Sequence, residues 1–385
     1  MMLSGARVVT PEGVLDPGWV EVHDGNIVAV GAGQPPTVAG RATDLGGCWL
    51  LPGFIDLHVH GGGGHDVTSS PADLAASVAF HRRHGTTRTL ISLVTAPVAE
   101  LSQQLGWVAD LVDEGAKPGV LGAHLEGPFL SHVRCGAQPT EHLLLPDPLV
   151  FAELLAASRS TLRTMTIAPE LPGALPLIGA AVAAGVVVAV GHTDATYDQT
   201  RAAVDAGAQL FTHLFNGMTP MHHREPGAVG AALASSIACE VIGDGVHLHP
   251  ALLGLVASVP GRAVLVTDAI SAAGLPDGGY LLGGHPVQVT GGEPRLADGA
   301  LAGSTLTMDA AFRRAVRSGG LSVEQASAAA SGNPAHVLGI EAQCGAISVG
   351  LAADLVTLDD DLELLQVMTS GVWAEHSHRG HVRGG

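Results

Sequence analysis

The segment "LPGFIDLHVHGGGGHDV", residues 51–67, ends an apolar run on two histidines, His58 and His60, and then four glycines. Side chains alternate across a strand, so Asp56, His58 and His60 share one face while Ile55, Leu57 and Val59 take the other. Two imidazoles in register on one face can hold one cation, and a strand end can equally turn them to solvent. Other parts of the chain repeat the pattern. Apolar runs close on Glu126, His192, His213, His247 and Asp268, each followed by loop-forming residues. Nitrogen and carboxylate donors together suit Zn²⁺ or Fe²⁺ better than Mg²⁺ or Ca²⁺, and the chemistry they suggest is metal-assisted hydrolysis.

What is missing narrows the choice. The single lysine, Lys117, follows no glycine-rich phosphate loop and makes a Schiff-base enzyme improbable. No G-x-S-x-G elbow accompanies the glycines at 61–64, which read as a flexible rim loop rather than an oxyanion loop.

These donors need strands to carry them. The runs are 53–60, 86–94, 119–126, 162–169, 186–193, 209–216, 239–248 and 262–270, with helical patterns at 71–84, 97–115, 174–184 and 307–318. Eight strands alternating with helices fit a (β/α)8 barrel, whose reactive groups gather at the C-terminal ends of the strands. A doubly wound sheet is the rival, though no G-x-G-x-x-G follows an early strand. Both chain ends read as short strands and turns, with Asp24-Gly25 a hairpin signal. The expected architecture is an α/β protein, a barrel over 52–340 with a small β-sandwich domain built from 1–51 and 341–385.

Composition agrees. The 385 residues include 52 glycines and only 3% aromatics, as tight loops and close helix–sheet packing require. A formal charge of −18 argues against a nucleic-acid partner. The uncharged stretch 171–191 is broken by Pro172, Pro176 and Gly185, so it reads as a helix, a turn and a buried strand rather than a membrane span. Four scattered cysteines and no apolar leader point to a reduced, cytoplasmic protein. The histidine-rich tail 376–385 reads as frayed.

Taken together, "PGFIDLHVHG", "GAHLEGPFL", "VGHTDAT", "THLFNGM", "REPG", "DGVHLHP", "VTDAI" and "AGSTLTM" resemble the N-acetylglucosamine-6-phosphate deacetylases of the amidohydrolase superfamily, over nearly the whole chain. The resemblance implies a barrel hydrolase that releases acetate from a phosphorylated N-acetyl amino sugar. It implies Glu126, His192 and His213 as ligands of one divalent metal, and His58 and His60 as the pair holding a second in some members. Asp268 would be the general base and acid. Asn216, Gly217, Arg224 and His247 would contact the sugar phosphate, with Ala137 and the segment Leu301, Ala302, Gly303 lining the sugar pocket. Arg224 would reach into the neighbouring active site of a homodimer. Relatives that bridge two metals through a modified lysine on the fourth strand differ, because this chain has "TMTIAPE" there. One loop departs from the family: Cys135-Gly136-Ala137-Gln138 stands where many members have a basic residue before Gly-Ala-His. An amide at Gln138 bears on strictness for one sugar; another N-acetyl hexosamine phosphate and, separately, an N-acyl amino acid stay open as alternative substrates. A non-catalytic scaffold is disfavoured by the complete donor set.

Overall fold

The computed structural model describes residues 1–36, 42–113 and 119–374; Lys117 and the tail 376–385 lie outside them. Eight parallel strands form one sheet: β1 (Phe54–Asp56), β2 (Thr86–Val94), β3 (Val120–Glu126), β4 (Leu162–Ile167), β5 (Val187–Val190), β6 (Leu210–Phe211), β7 (Ala238–Ile242) and β8 (Ala263–Val266). Each pairs with the next in chain order. Beyond the last regular pairs, Val59 bridges Ala269, and the His60 N–H donates to the Ala269 carbonyl at 2.8 Å. The first and last strands are thereby joined into a barrel, and every expected run supplies one stave.

A helix follows each strand: α1 (Pro71–Arg82), α2 (Val98–Asp113), α3 (Pro148–Ala157), α4 (Ala174–Ala183), α5 (Tyr197–Asp205), α6 (Gly227–Leu233), α7 (Pro250–Ala257) and α8 (Met308–Arg317). Their starts are written locally. Ser70 caps α1 through the Asp73 N–H with Pro71 in the first turn, and Thr196 and Gln199 form a reciprocal capping box on α5. The uncharged 171–191 stretch divides as expected, into α4, Gly185 and β5. No described helix is long and apolar enough to cross a membrane.

Ile55 and Leu57 pack outward against Val264, Val266, Ala311 and Leu338. The buried polar residues Asp56, His58 and Glu126 occupy the same strands and their ends. The two chain ends meet in a separate, mainly antiparallel sheet of eight strands, where Trp49–Pro52 lies between Met2–Thr10 and Leu355–Leu358.

Two features differ from the sequence reading. The glycines after His60 form a tight two-stranded hairpin, Gly61–Gly62 against His65–Asp66, not a loose loop. A Cβ at Gly62 would stand 2.5 Å from the Phe80 ring and 2.6 Å from His81 Nε2, so close packing on α1 demands glycine there. Between β8 and α8 the chain also inserts a three-stranded antiparallel sheet, Gly278–Leu282, His285–Thr290 and Glu293–Arg295.

Candidate functional site

The strand ends converge on one cluster. Glu126, the last residue of β3, places Oε1 at 3.0 Å from both His192 Nε2 and His213 Nε2, and 3.4 Å from His58 Nε2. Its other oxygen lies 3.3 Å from His60 Nε2. Asp268 Oδ1 faces the same pair, 3.5 Å from His58 Nε2 and 3.3 Å from His60 Nε2. Two groups of three donors result, His58–His60–Glu126 and Glu126–His192–His213, sharing the glutamate.

The outer ring nitrogens show which atoms face inward. His192 Nδ1 lies 2.9 Å from the Arg134 carbonyl, His60 Nδ1 3.0 Å from the Ser92 carbonyl, and His58 Nδ1 3.0 Å from Glu240 Oε2. Each acceptor requires a proton on Nδ1, which turns the Nε2 lone pair of a neutral ring toward the centre. Nε2 atoms then confront one another, at 3.0 Å for His58–His60 and 3.1 Å for His192–His213. Facing lone pairs and carboxylates repel unless positive charge lies between them. The donor set therefore fits a divalent cation, by type and by convergence.

The ionisation pattern shows the same demand for positive charge. Burial alone would depress His58 and His60, yet the carboxylates of Glu126 and Asp268 outweigh it, holding His58 well above its ordinary value and lifting His60 to about 9. Against their own burial, Asp268 is held down to about 2, chiefly by His58 and His60, and Glu126 well below the carboxylate range by His58, His192 and His213. Burial keeps His124, at the base of the cluster, neutral; its ring nitrogens pair with Ser92 Oγ and Thr166 Oγ1.

Backbone conformation marks the same residues. His192, His213 and Asp268 have φ of 45°, 26° and 49°. Non-glycine residues adopt this region at a cost, and it concentrates where a site dictates geometry. Gly303 approaches from the insert; a Cβ there would stand 2.7 Å from the Asp268 carbonyl oxygen.

A pocket of about 200 Å³ opens over the cluster. His60, Glu126, His192, His213 and Asp268 line it, as do Ala137, Gln138, Asn216, Gly217, His247, Leu301 and Gly303. His58 sits behind these, fully buried. Ala302 packs into an apolar cluster with Val94 and Ile270. Arg224 lies outside the pocket, exposed, its Nη1 2.8 Å from His223 Nε2. Gln138 is held at both ends of its amide: Oε1 accepts the Thr95 N–H at 2.7 Å and Nε2 donates to Glu126 Oε2 at 2.7 Å. His247 Nδ1 pairs with Asp244 Oδ2 at 2.6 Å; burial would lower its pKa, but that carboxylate raises it above the ordinary value.

Sequence reasoning missed Glu240, buried on β7 against His58. A lone carboxylate in the apolar strand "ACEVI" is the signal that could have found it. The insert was also missed, although Leu282 and Ala300 bring it to the pocket wall.

A parallel barrel with histidine and carboxylate donors at its strand ends defines a class. Residues 49–374 match the model of the amidohydrolase family, and the chain belongs to that family. The similarity narrows further. Over 96% of this chain and 98% of the relative, it is 42% identical to the N-acetylgalactosamine-6-phosphate deacetylase of Escherichia coli O157:H7. It is 35% identical, over 96% of both chains, to the N-acetylglucosamine-6-phosphate deacetylase of Bacillus subtilis strain 168. Among solved structures, a mutant N-acetyl-D-glucosamine-6-phosphate deacetylase from Mycobacterium smegmatis, in complex with N-acetyl-D-glucosamine-6-phosphate, superposes with a TM-score of 0.92 at 44% identity, covering 97% of this chain and 98% of that one.

Proposed function

We propose that this protein hydrolyses the N-acetyl group of N-acetylglucosamine 6-phosphate, giving glucosamine 6-phosphate and acetate in amino-sugar catabolism or cell-wall recycling. The observation that carries the proposal is the inward convergence of Glu126, His192 and His213 beside the ionised Asp268 at the floor of a rim pocket. Glu126, His192 and His213 would hold one divalent cation, and His58 and His60, with Glu126, a second; Zn²⁺ suits these donors first and Fe²⁺ next. A cation so held supplies Lewis acidity toward water and the acetyl carbonyl.

The residues of the chain do the rest. Asp268, held as a carboxylate, accepts a proton from the attacking water and delivers it to the amide nitrogen as the C–N bond breaks. His247, whose pKa Asp244 raises against the effect of burial, offers a donor to the anionic substrate that becomes charge-assisted when the ring is protonated. Asn216, Gly217, Ala137 and Gln138 would orient the sugar from one side, and Leu301, Ala302 and Gly303 from the other, Ala302 through its packing. Arg224 is exposed with its Nη1 against His223 Nε2, and in a homodimer its guanidinium would serve the neighbouring site. Residues 52–340 would then carry the chemistry, with 1–51 and 341–385 as the accessory domain, in the cytoplasm.

A second reading, the C4 epimer N-acetylgalactosamine 6-phosphate, is favoured by the Escherichia coli relative and by Gln138 in place of the usual histidine. Acetate release from both sugar phosphates, from unphosphorylated N-acetylglucosamine and from an N-acetyl amino acid separates the readings. The highest kcat/KM is expected on N-acetylglucosamine 6-phosphate. A preference for the galactosamine epimer supports the second reading, and equal rates with and without phosphate contradict both.

A further inference from the structure

Glu240 touches both halves of the cluster without belonging to either. Its Oε2 lies 3.0 Å from His58 Nδ1 and accepts the backbone N–H of His213 at 3.2 Å, so one buried oxygen serves two bonds. The backbone carbonyl of Glu240 accepts the Leu214 N–H at 2.8 Å. Side chain and main chain together thus hold the segment in which His213 takes its strained φ of 26°. The other histidines lack such a partner. His60 and His192 direct Nδ1 to backbone carbonyls, and His213 Nδ1 has no hydrogen-bond partner among the described residues. Of the four histidines His58, His60, His192 and His213, only His58 has its Nδ1 backed by a carboxylate among the described residues, which fixes its tautomer, aims Nε2 at the centre and raises its basicity as a ligand.

We propose that Glu240 is a positioning residue that determines whether the His58–His60 half holds a cation. The inference rests on the reading that His58, His60 and Glu126 form a metal site. Losing such a partner costs about 10- to 100-fold in metal affinity. Because both bonds end on one oxygen, Glu240→Gln can keep them through its amide oxygen while losing the charge. Glu240→Ala loses both.

The test is zinc binding in competition with a chelator, with elemental analysis of the full-length protein and a melting curve of each metal-free variant. Wild type is expected to hold two ions and His58→Ala one. Glu240→Ala should bind its second ion about 10- to 100-fold more weakly, with the first ion much less affected, and Glu240→Gln should recover most of the loss. If Glu240→Ala does not fold, Glu240→Gln must still weaken the second ion by a measurable factor of about three or more, as its lost charge requires. Two ions in wild type, one in His58→Ala and unchanged affinity in the Glu240 variants overturn this inference alone. Equal weakening of both ions in Glu240→Ala overturns it as well. A single ion in wild type, unaltered by His58→Ala, overturns the underlying two-cation reading and this inference with it.

Discussion

The two halves of the donor cluster use the same residue types in different surroundings. Glu126, His192 and His213 line the pocket directly, whereas His58 is fully buried behind them and reaches it only through His60. The pocket-facing half has a carboxylate at its centre, 3.0 Å from two imidazoles. In the rear half the two imidazoles face each other at 3.0 Å and are flanked by Glu126, Asp268 and Glu240. Position relative to the pocket, rather than ligand type, separates a group that can meet substrate from one that supports it.

The largest effect is expected where the halves share an atom donor. Glu126→Ala removes the only residue common to both, and Lewis-acid chemistry worth several kcal/mol goes with it; kcat/KM should fall about 10⁴-fold. Elemental analysis should show loss from both halves, and an unchanged metal count would break the comparison. Asp268→Asn should cost about 10³-fold in kcat, within the range for a lost general acid–base, while leaving the pocket-facing metal in place. Steady-state kinetics with metal analysis of the same sample checks this.

A smaller loss is expected from the rear. The His58→Ala, His60→Ala double variant should lose one ion per chain and keep the Glu126–His192–His213 ion, with activity lowered less than about threefold, under ~1 kcal/mol, because the half that faces the pocket stays filled. If the metal count stays the same, the rear pair is structural.

Most of this was legible in the sequence, because each donor stands where an apolar run stops. "GAHLEG", "VGHTD" and "VTDAI" show strand and donor together, and all eight runs became barrel staves. What escaped reading depends on distance along the chain. Glu240 meets His58 across 182 positions, and local periodicity carries no trace of such a pairing. The glycine hairpin at 61–64 was misjudged for the same reason, since what demands glycine is the Phe80 ring in α1. The insert did leave a signal, Val287 and Val289 buried between exposed neighbours, but over only a few residues.

An effect on stability rather than on turnover comes from a histidine outside the cluster. His81 is buried on α1, its Nε2 2.8 Å from the Gly61 carbonyl, and burial pushes its pKa down to about 4. Asp309 acts in the opposite direction without reversing it, in contrast to the carboxylates around His58 and His60. Between pH 6.5 and 4 the unfolded chain binds a proton here that the folded chain does not, so stability falls as pH falls through that window. The contribution is on the order of 3 kcal/mol, complete near pH 4. His81→Gln, which keeps a donor for Gly61, should flatten the denaturant-measured stability curve over that window by this amount. An unchanged slope would show that His81 is protonated in the fold.

The most direct test of the whole account follows acetate release from N-acetylglucosamine 6-phosphate while one preparation is stripped of metal and reloaded. Activity should vanish with a chelator, return steeply with the first equivalent of Zn²⁺ and rise little with the second, because the first ion fills the pocket-facing half. Full turnover from protein shown by elemental analysis to be metal-free would contradict the account at its centre.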